Sequence, residues 1–319
     1  MSGLSGPGGP LVAARDPLAR RTSPRLLAGR VVASALGPLH VAPDVIILGA
    51  ARAGTTSILN HMRSHPGFLA CPSRELHFFD VDVRWSLGIG AYRRNFPFRW
   101  ERAAALRSGR GPALCGENSP YYLAHPFVPE RIFATLPDVR LVALLRDPTE
   151  RAISHWNWRV NRGQEKRSFE EAAEEELAAL ADLPPGGSGE IPTEAEAEAG
   201  LGGRSGAYAR VGATPRVRRY QAYLARGIYL EQVRRWHAIF PRTQLLLLVS
   251  EHYFADPEPS LARLWAHLDL PVVPTIDPVR NARKKKSEVR PETIERVRDF
   301  FRPHNAALEA YLGEPMGWR

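Results

Sequence analysis

The chain has 319 residues, a formal net charge of +9 and a pI near 9.9, with 44% apolar and 24% charged residues. This composition is ordinary for a soluble globular protein, and no window reaches the ~18–20 apolar residues of a transmembrane helix. The two cysteines, Cys71 and Cys115, provide neither a disulfide framework nor a zinc site. The basic charge favours an anionic partner such as nucleic acid, a membrane surface, a polyanion or a highly charged small ligand.

The N-terminal segment is biased in composition. Residues 1–40 contain five arginines and one aspartate among many Gly, Pro and Ala residues. We expect a flexible basic tail, with an N-terminal targeting peptide as the alternative. Because a chain with only two cysteines fits a reducing compartment, we expect a soluble, cytoplasmic protein.

The ordered pattern begins at Asp44 with a strand, a glycine loop and a helix. "DVIILGA" (44–50) predicts a buried parallel strand, and "TTSILNHMRSH" (55–65) predicts a helix. Gly49 and Gly54 have the spacing of a Walker-type phosphate loop, but Thr55 stands where its lysine would be. Backbone N–H groups and hydroxyls at such a helix start form an anion site. The candidate ligands are Arg52, Ala53, Gly54, Thr55, Thr56 and Ser57.

Later segments repeat the alternation of strand and helix. "RLVALLRDP" (140–148) and "QLLLLVSEHY" (244–253) predict buried strands, and helices are predicted at 221–239, 258–268 and 291–312. This order predicts one α/β domain over residues 41–319, P-loop-like, with a central, mostly parallel sheet flanked by helices. Residues 164–206 begin as an acidic helix and continue into Pro, Gly and Ser. We interpret them as an insertion that serves either as a solvated linker or as a lid over the acceptor.

Two further groups of cations follow the loop. Arg146 ends a buried strand, where open α/β sheets bind ligands, and Ser154 lies two turns into the next helix. Alternatively, Arg146 only pairs with Glu150. The run Arg283–Lys286 is either a solvated face, a nucleic-acid patch or a cationic flap. Together these groups suit a nucleoside that carries phosphates at both ends.

Several motifs in order resemble one family. They are "GAARAGTTSILNHMRSHP", "SRELHFFD" (73–80), "GENSPYYL" (116–123), "RDPTERAISHW" and "RPETIERVRDFFRPHN" (290–305). These motifs are similar to those of the PAPS-dependent sulfotransferases, in particular the heparan-sulfate-type branch and its bacterial relatives. The resemblance implies transfer of the sulfuryl group from 3′-phosphoadenosine 5′-phosphosulfate (PAPS), without a metal, to a hydroxyl or amine of a small-molecule or glycan acceptor.

The resemblance also implies roles for residues. The glycine loop would hold the 5′-phosphosulfate, with Arg52 where the family usually has a lysine, and Arg146 and Ser154 would bind the 3′-phosphate. The cofactor-covering loop would consist of Arg283, Lys284, Lys285, Lys286 and Ser287. Glu75 would be the general base, with His77 as the alternative base. The residues alone favour the alternative that Glu75 is a surface carboxylate paired with Arg74.

Two positions depart from the family pattern, and two other functions stay open. Arg52 changes the donor geometry relative to lysine, and Asn118 stands where glycan-acting members often have a lysine.

The first alternative function is a P-loop kinase or other nucleotide-dependent transferase, which Thr55 disfavours because a Walker loop has lysine there. The second is a non-catalytic nucleic-acid binder, disfavoured because no aromatic-interleaved basic stripe is present. We expect His155, Trp156, Trp158 and the insertion to shape the acceptor pocket, and no pattern specifies the oligomeric state.

Overall fold

The structure is a computed structural model that describes residues 35–72, 75–109, 111–185, 222–274 and 288–318. Most of the expected N-terminal tail, the second half of the expected insertion and the whole Arg283–Ser287 run lie outside these residues. The roles and the domain division predicted for them therefore stay predictions.

A five-stranded sheet forms the centre of the described chain. Its strands are β1 (Val45–Gly49), β2 (Phe68–Ala70), β3 (Leu114–Asn118), β4 (Arg140–Leu145) and β5 (Leu245–Val249). All four pairings are parallel, in the order β2-β3-β1-β4-β5. The predicted α/β class with a mostly parallel sheet is thus confirmed.

Helices flank this sheet. They are α1 (Thr55–Ser64), α2 (Asp82–Trp85), α3 (Ile89–Arg93), α4 (Arg99–Arg107), α5 (Val128–Phe133), α6 (Pro148–Val160), α7 (Phe169–Leu180), α8 (Tyr229–His237), α9 (Ser250–Ala255), α10 (Pro257–His267) and α11 (Pro291–Leu312). None of the helices in the described ranges combines the length and the apolarity that crossing a membrane demands.

Local sequence explains the main element boundaries. The strand β1 is buried along its whole length because its residues are almost all β-branched or aliphatic. The helix α6 begins with Pro148, and the Asp147 side chain accepts a hydrogen bond of 2.8 Å from the Glu150 N–H, which caps the helix. The acidic helix α7 begins with a reciprocal capping box between Ser168 and Glu171.

Two apolar clusters hold these elements together. The larger cluster surrounds the sheet and includes the fully buried side chains of Phe79, Trp236 and Trp265. The smaller cluster lies between α6, α7 and α11 and contains Phe169 and Phe301. The first half of the expected insertion is therefore packed against the domain, because α7 contributes its apolar face to a buried cluster.

The structure corrects two expectations about secondary structure. The helix predicted over 221–239 is replaced by a 3₁₀ turn at Ala225–Gly227 followed by α8, which begins only at Tyr229. The strand predicted over 244–253 ends at Val249, and α9 begins at Ser250. In addition, the strands β2 and β3 were not predicted. They carry too few consecutive apolar residues to show a strand pattern, since β3 reads Leu-Cys-Gly-Glu-Asn.

Candidate active site

The candidate site residues collect at one edge of the sheet. In a parallel sheet all strands end at the same edge, and ligands bind where neighbouring crossovers diverge. Here β3 and β4 flank β1 on its two sides. The glycine loop follows β1, Ser119 follows β3 and Arg146 follows β4.

The glycine loop is held tightly against its surroundings. Gly54 has a φ of 101°, and a Cβ there would lie 2.7 Å from Cε2 of Phe254, so only glycine fits. Ser250 donates a hydrogen bond of 2.8 Å to the Ala53 carbonyl oxygen, which ties the loop to the end of β5. At the start of α1, Thr55 is buried and Thr56 is exposed.

Three polar residues form what we call the arginine cluster: Arg52, Arg146 and Ser154. Nε of Arg52 donates a hydrogen bond of 3.3 Å to the Ser154 hydroxyl, and Nη1 of Arg146 donates one of 3.1 Å to the Arg52 carbonyl oxygen. Arg52, which the resemblance assigns to the 5′-phosphosulfate, is therefore in direct contact with Arg146 and Ser154, which it assigns to the 3′-phosphate. Nη2 of Arg146 also lies 3.5 Å from a Glu150 oxygen, so the predicted pairing alternative coexists with the cluster.

Positive charge accumulates at this cluster. Burial lowers the pKa of Arg52, and the nearby guanidinium groups of Arg146 and Arg162 lower it further. All the charged neighbours that shift this pKa are cations. An anion bound at the cluster would relieve their mutual repulsion.

A second group, which we call the carboxylate–histidine triad, consists of Glu75, His77 and Asp80. Nε2 of His77 lies 2.9 Å from Oε2 of Glu75, and Nδ1 lies 2.8 Å from Oδ2 of Asp80. Asp80 is buried, whereas the Glu75 side chain is 51% exposed. Burial alone would lower the pKa of His77, but the hydrogen bonds to Asp80 and Glu75 prevail and raise it to about 9. At neutral pH the ring is therefore a cation that donates to both carboxylates.

The sequence reasoning found Glu75 and His77 but missed Asp80. Its signal is present in "ELHFFD", where carboxylates precede the histidine by two residues and follow it by three. The predicted alternative that Glu75 only pairs with Arg74 involves a residue outside the described ranges.

The segment that carries the triad lies next to the end of β3. The Ser119 hydroxyl accepts hydrogen bonds from the N–H groups of Leu76 and His77, at 3.1 and 3.2 Å. Because β3 pairs with β1, this contact places the triad segment at the same sheet edge as the glycine loop. Asn118, at the end of β3, is buried.

Residues expected to shape the acceptor pocket are divided between core and surface. His155 and Trp156 are buried, and Trp156 donates a hydrogen bond of 3.0 Å to the Arg167 carbonyl oxygen. Trp158 is partly exposed, and the Arg162 guanidinium lies 4.1 Å from its ring centroid. Of the three, Trp158 is thus the residue that is not buried, and its part in an acceptor pocket stays a prediction.

The sequence is similar to sequences of known proteins. The sequence matches the model of the sulfotransferase domain over residues 42–302. It is 26% identical over 300 residues to heparan sulfate glucosamine 3-O-sulfotransferase 5 of Mus musculus. This alignment covers 86% of this chain and 74% of the relative. It is 24% identical to the human 3-O-sulfotransferase 3B1, covering 86% of this chain and 65% of that protein.

A solved structure agrees at the level of fold. The crystal structure of a sulfotransferase from Alicyclobacillus acidocaldarius superposes with a TM-score of 0.61 at 24% identity, covering 86% of this chain and 97% of that one. These matches support neither the kinase nor the nucleic-acid-binding alternative. Since the sulfotransferase match spans most of the sequence, the chain belongs to the sulfotransferase domain family and is a PAPS-dependent sulfotransferase.

Proposed function

We propose that the chain transfers the sulfuryl group of PAPS to a hydroxyl of a carbohydrate acceptor, using the arginine cluster for the donor and Glu75 as the base. The observation that carries this proposal is the contact between Arg52 and Arg146 at the carboxyl edge of the sheet, with Arg162 near enough to lower the pKa of Arg52 further. A multiply charged anion suits this surplus of positive charge, and PAPS carries anionic groups at both ends of its nucleoside.

The glycine loop and Arg52 would hold the 5′-phosphosulfate end. When bound, PAPS supplies an activated sulfuryl group with a bisphosphate as leaving group. The N–H groups at the start of α1 and the Arg52 guanidinium would stabilise the negative charge that develops on the leaving oxygen. The planar guanidinium offers a fork of donors where lysine would offer a single charged centre, so Arg52 can contact two oxygens at once.

Arg146 and Ser154 would hold the 3′-phosphate. The Arg146 guanidinium has five N–H groups, and its hydrogen bond to the Arg52 carbonyl oxygen uses one of them. Ser154 accepts from Arg52, which leaves its own O–H to donate to a phosphate oxygen. The salt bridge between Arg146 and Glu150 is 3.5 Å long and half exposed on the glutamate side, so it competes weakly with a phosphate.

The geometry of the triad favours Glu75 over His77 as the general base. A histidine with a pKa near 9 is already protonated at neutral pH and cannot accept the acceptor's proton. Glu75 receives a hydrogen bond from His77 on Oε2, which orients the carboxylate and leaves Oε1 for the acceptor hydroxyl. Its half-exposed position allows an acceptor to approach.

The carbohydrate acceptor is proposed from the relatives, whose names specify the glucosamine of heparan sulfate. Asn118 replaces a family lysine and is buried, so a cation for an anionic glycan must come from elsewhere. Arg162, stacked on Trp158 at the end of α6, supplies a cation beside an aromatic face. We therefore propose a glucosamine-containing glycan that lies across the end of α6.

The donor assignment can be tested by thermal unfolding with adenosine 3′,5′-bisphosphate. At about 100 times its Kd, a ligand of the folded state adds ~2.7 kcal/mol to the free energy of unfolding. We expect a clear rise in Tm with the bisphosphate and a much smaller one with Mg-ATP at the same concentration. Equal stabilisation by Mg-ATP would contradict the proposal.

A further inference from the structure

The strand β3 carries a carboxylate where a core strand would normally be apolar. Glu117 is completely buried, and its two oxygens accept hydrogen bonds of 2.9 Å from the Tyr92 hydroxyl and 2.8 Å from the Ser119 hydroxyl. Burial raises the pKa of Glu117 to about 7, against the opposing effect of these hydrogen bonds. Burying a carboxylate is costly unless hydrogen bonds satisfy its oxygens, as the Tyr92 and Ser119 hydroxyls do here.

The Ser119 hydroxyl links this carboxylate to the triad segment. A serine hydroxyl has one O–H to donate and two lone pairs that accept. The O–H points to Glu117, and the lone pairs accept from the N–H groups of Leu76 and His77. Glu117 therefore fixes the rotation of the hydroxyl so that both lone pairs face the segment.

The triad segment depends on such contacts because it has no regular backbone pairing. Residues 75–78 belong to neither a helix nor a strand. His77 has a φ of 48°, a left-handed conformation that is uncommon for residues other than glycine. The Tyr122 hydroxyl extends the same support by accepting a hydrogen bond of 2.9 Å from the Phe78 N–H.

We propose that Glu117 and Ser119 are positioning residues that hold the backbone at residues 76–77 so that His77 bridges Glu75 and Asp80. Neither residue acts on the substrate. Their effect on turnover passes through the orientation of Glu75, and this part of the inference rests on the function proposed above. Their effect on the backbone does not depend on that function.

Ser119→Ala is the principal test, because it removes the hydroxyl with little change in volume. We expect kcat to fall by at least ~10-fold, since small displacements of a reacting group can cost up to ~10²-fold in rate. Affinity for adenosine 3′,5′-bisphosphate should change less than about twofold, because the arginine cluster is untouched. Ser119→Thr keeps the hydroxyl and should therefore retain most of the wild-type kcat.

The second readout is independent of catalysis. In protein labelled at histidine Cε1, NMR titration follows the ring of His77, whose signal is assigned by its absence in His77→Asn. We expect a midpoint near 9 in the wild type and a fall of at least ~1 unit in Ser119→Ala, toward the ordinary value of about 6.5. Glu117→Gln, which preserves the volume of the buried side chain, should shift the midpoint in the same direction by a smaller amount.

The outcomes separate this inference from the proposed function. If Ser119→Ala leaves both the His77 midpoint and kcat unchanged, the positioning role is wrong. It is also wrong if kcat and bisphosphate affinity fall together while the midpoint stays in place, because the effect is then a general destabilisation. If the midpoint shifts as expected but Glu75→Gln remains active, positioning is supported and the base assignment fails.

Discussion

The arginine cluster and the carboxylate–histidine triad are built in different ways. Arg146 directly follows β4 and Ser154 lies on the capped helix α6, whereas Arg52 lies in the glycine loop with a φ of 74°. The triad lies on an irregular segment, where the hydroxyls of Ser119 and Tyr122 satisfy the backbone N–H groups. The first group is dominated by cations, and the second has two carboxylates around one histidine.

The proposed roles assign donor binding to the first group and chemistry to the second. The proposed donor site follows from the fold, since any chain with this sheet presents helix N-termini and strand ends at that edge. The proposed base depends on a few side-chain hydrogen bonds that a single substitution can remove. Substitutions in the arginine cluster should therefore lower the affinity for the bisphosphate, and substitutions in the triad should lower kcat.

Glu75→Gln should have the largest effect. The amide keeps the size of the side chain but cannot accept a proton, and removal of a general base typically costs ~10²–10⁴ in rate. We expect kcat to fall by that factor while bisphosphate affinity, measured by calorimetry, stays close to wild type. Glu130→Gln, an exposed change on α5, is the matched control and should leave both unchanged.

The companion substitution His77→Asn should reduce kcat less than Glu75→Gln does, because the ring orients the carboxylate without taking the proton. Full activity in Glu75→Gln together with an inactive His77→Asn would transfer the role of base to His77. If neither substitution alters kcat, the triad has no role in catalysis.

Arg146→Ala should have the next largest effect, on binding. Loss of hydrogen bonds to a charged group should weaken adenosine 3′,5′-bisphosphate binding by ~1.5–3 kcal/mol, or about 10- to 150-fold. Binding of adenosine 5′-monophosphate, which lacks the 3′-phosphate, should barely change. Arg302→Ala removes an exposed arginine of α11 and controls for net charge. Equal losses for both nucleotides would show that Arg146 is structural.

The smallest expected effect is a pH dependence of stability. The pKa of His77 is raised from its ordinary 6.5 to about 9, so its ion pairs stabilise the folded state fully below pH 6.5 and progressively less as pH rises through 9. The difference in unfolding free energy between wild type and His77→Asn should shrink by about 1–3 kcal/mol between pH 6.5 and 9.5. Denaturant titrations at several pH values measure it. A difference that grows with pH would contradict the assigned protonation state.

The sequence was informative where elements are regular. The strands β1, β4 and β5 are apolar runs, and the Gly54 turn and the Asp147 cap are local signals, so the cation-bearing edge of the sheet was predictable. The strand β2 is too short to show such a pattern, and β3 is too polar. The buried Glu117 of β3 is tolerated because it accepts a hydrogen bond from Tyr92, a residue 25 positions away that no local pattern connects to it. The contact between Arg52 and Ser154 was also hidden, since the two residues are 102 positions apart and meet only through the pairing of β1 with β4.

We propose that one edge of the sheet binds the donor and that the triad activates a carbohydrate hydroxyl. The most direct measurement is single-turnover transfer from ³⁵S-labelled PAPS to glucosamine-containing heparan oligosaccharides, with wild type and Glu75→Gln side by side. The account predicts labelled oligosaccharide and free bisphosphate in equal amounts with the wild type, and loss of the label, but not of donor binding, in Glu75→Gln. Donor binding without labelled oligosaccharide in the wild type, or undiminished labelling by Glu75→Gln, would contradict it.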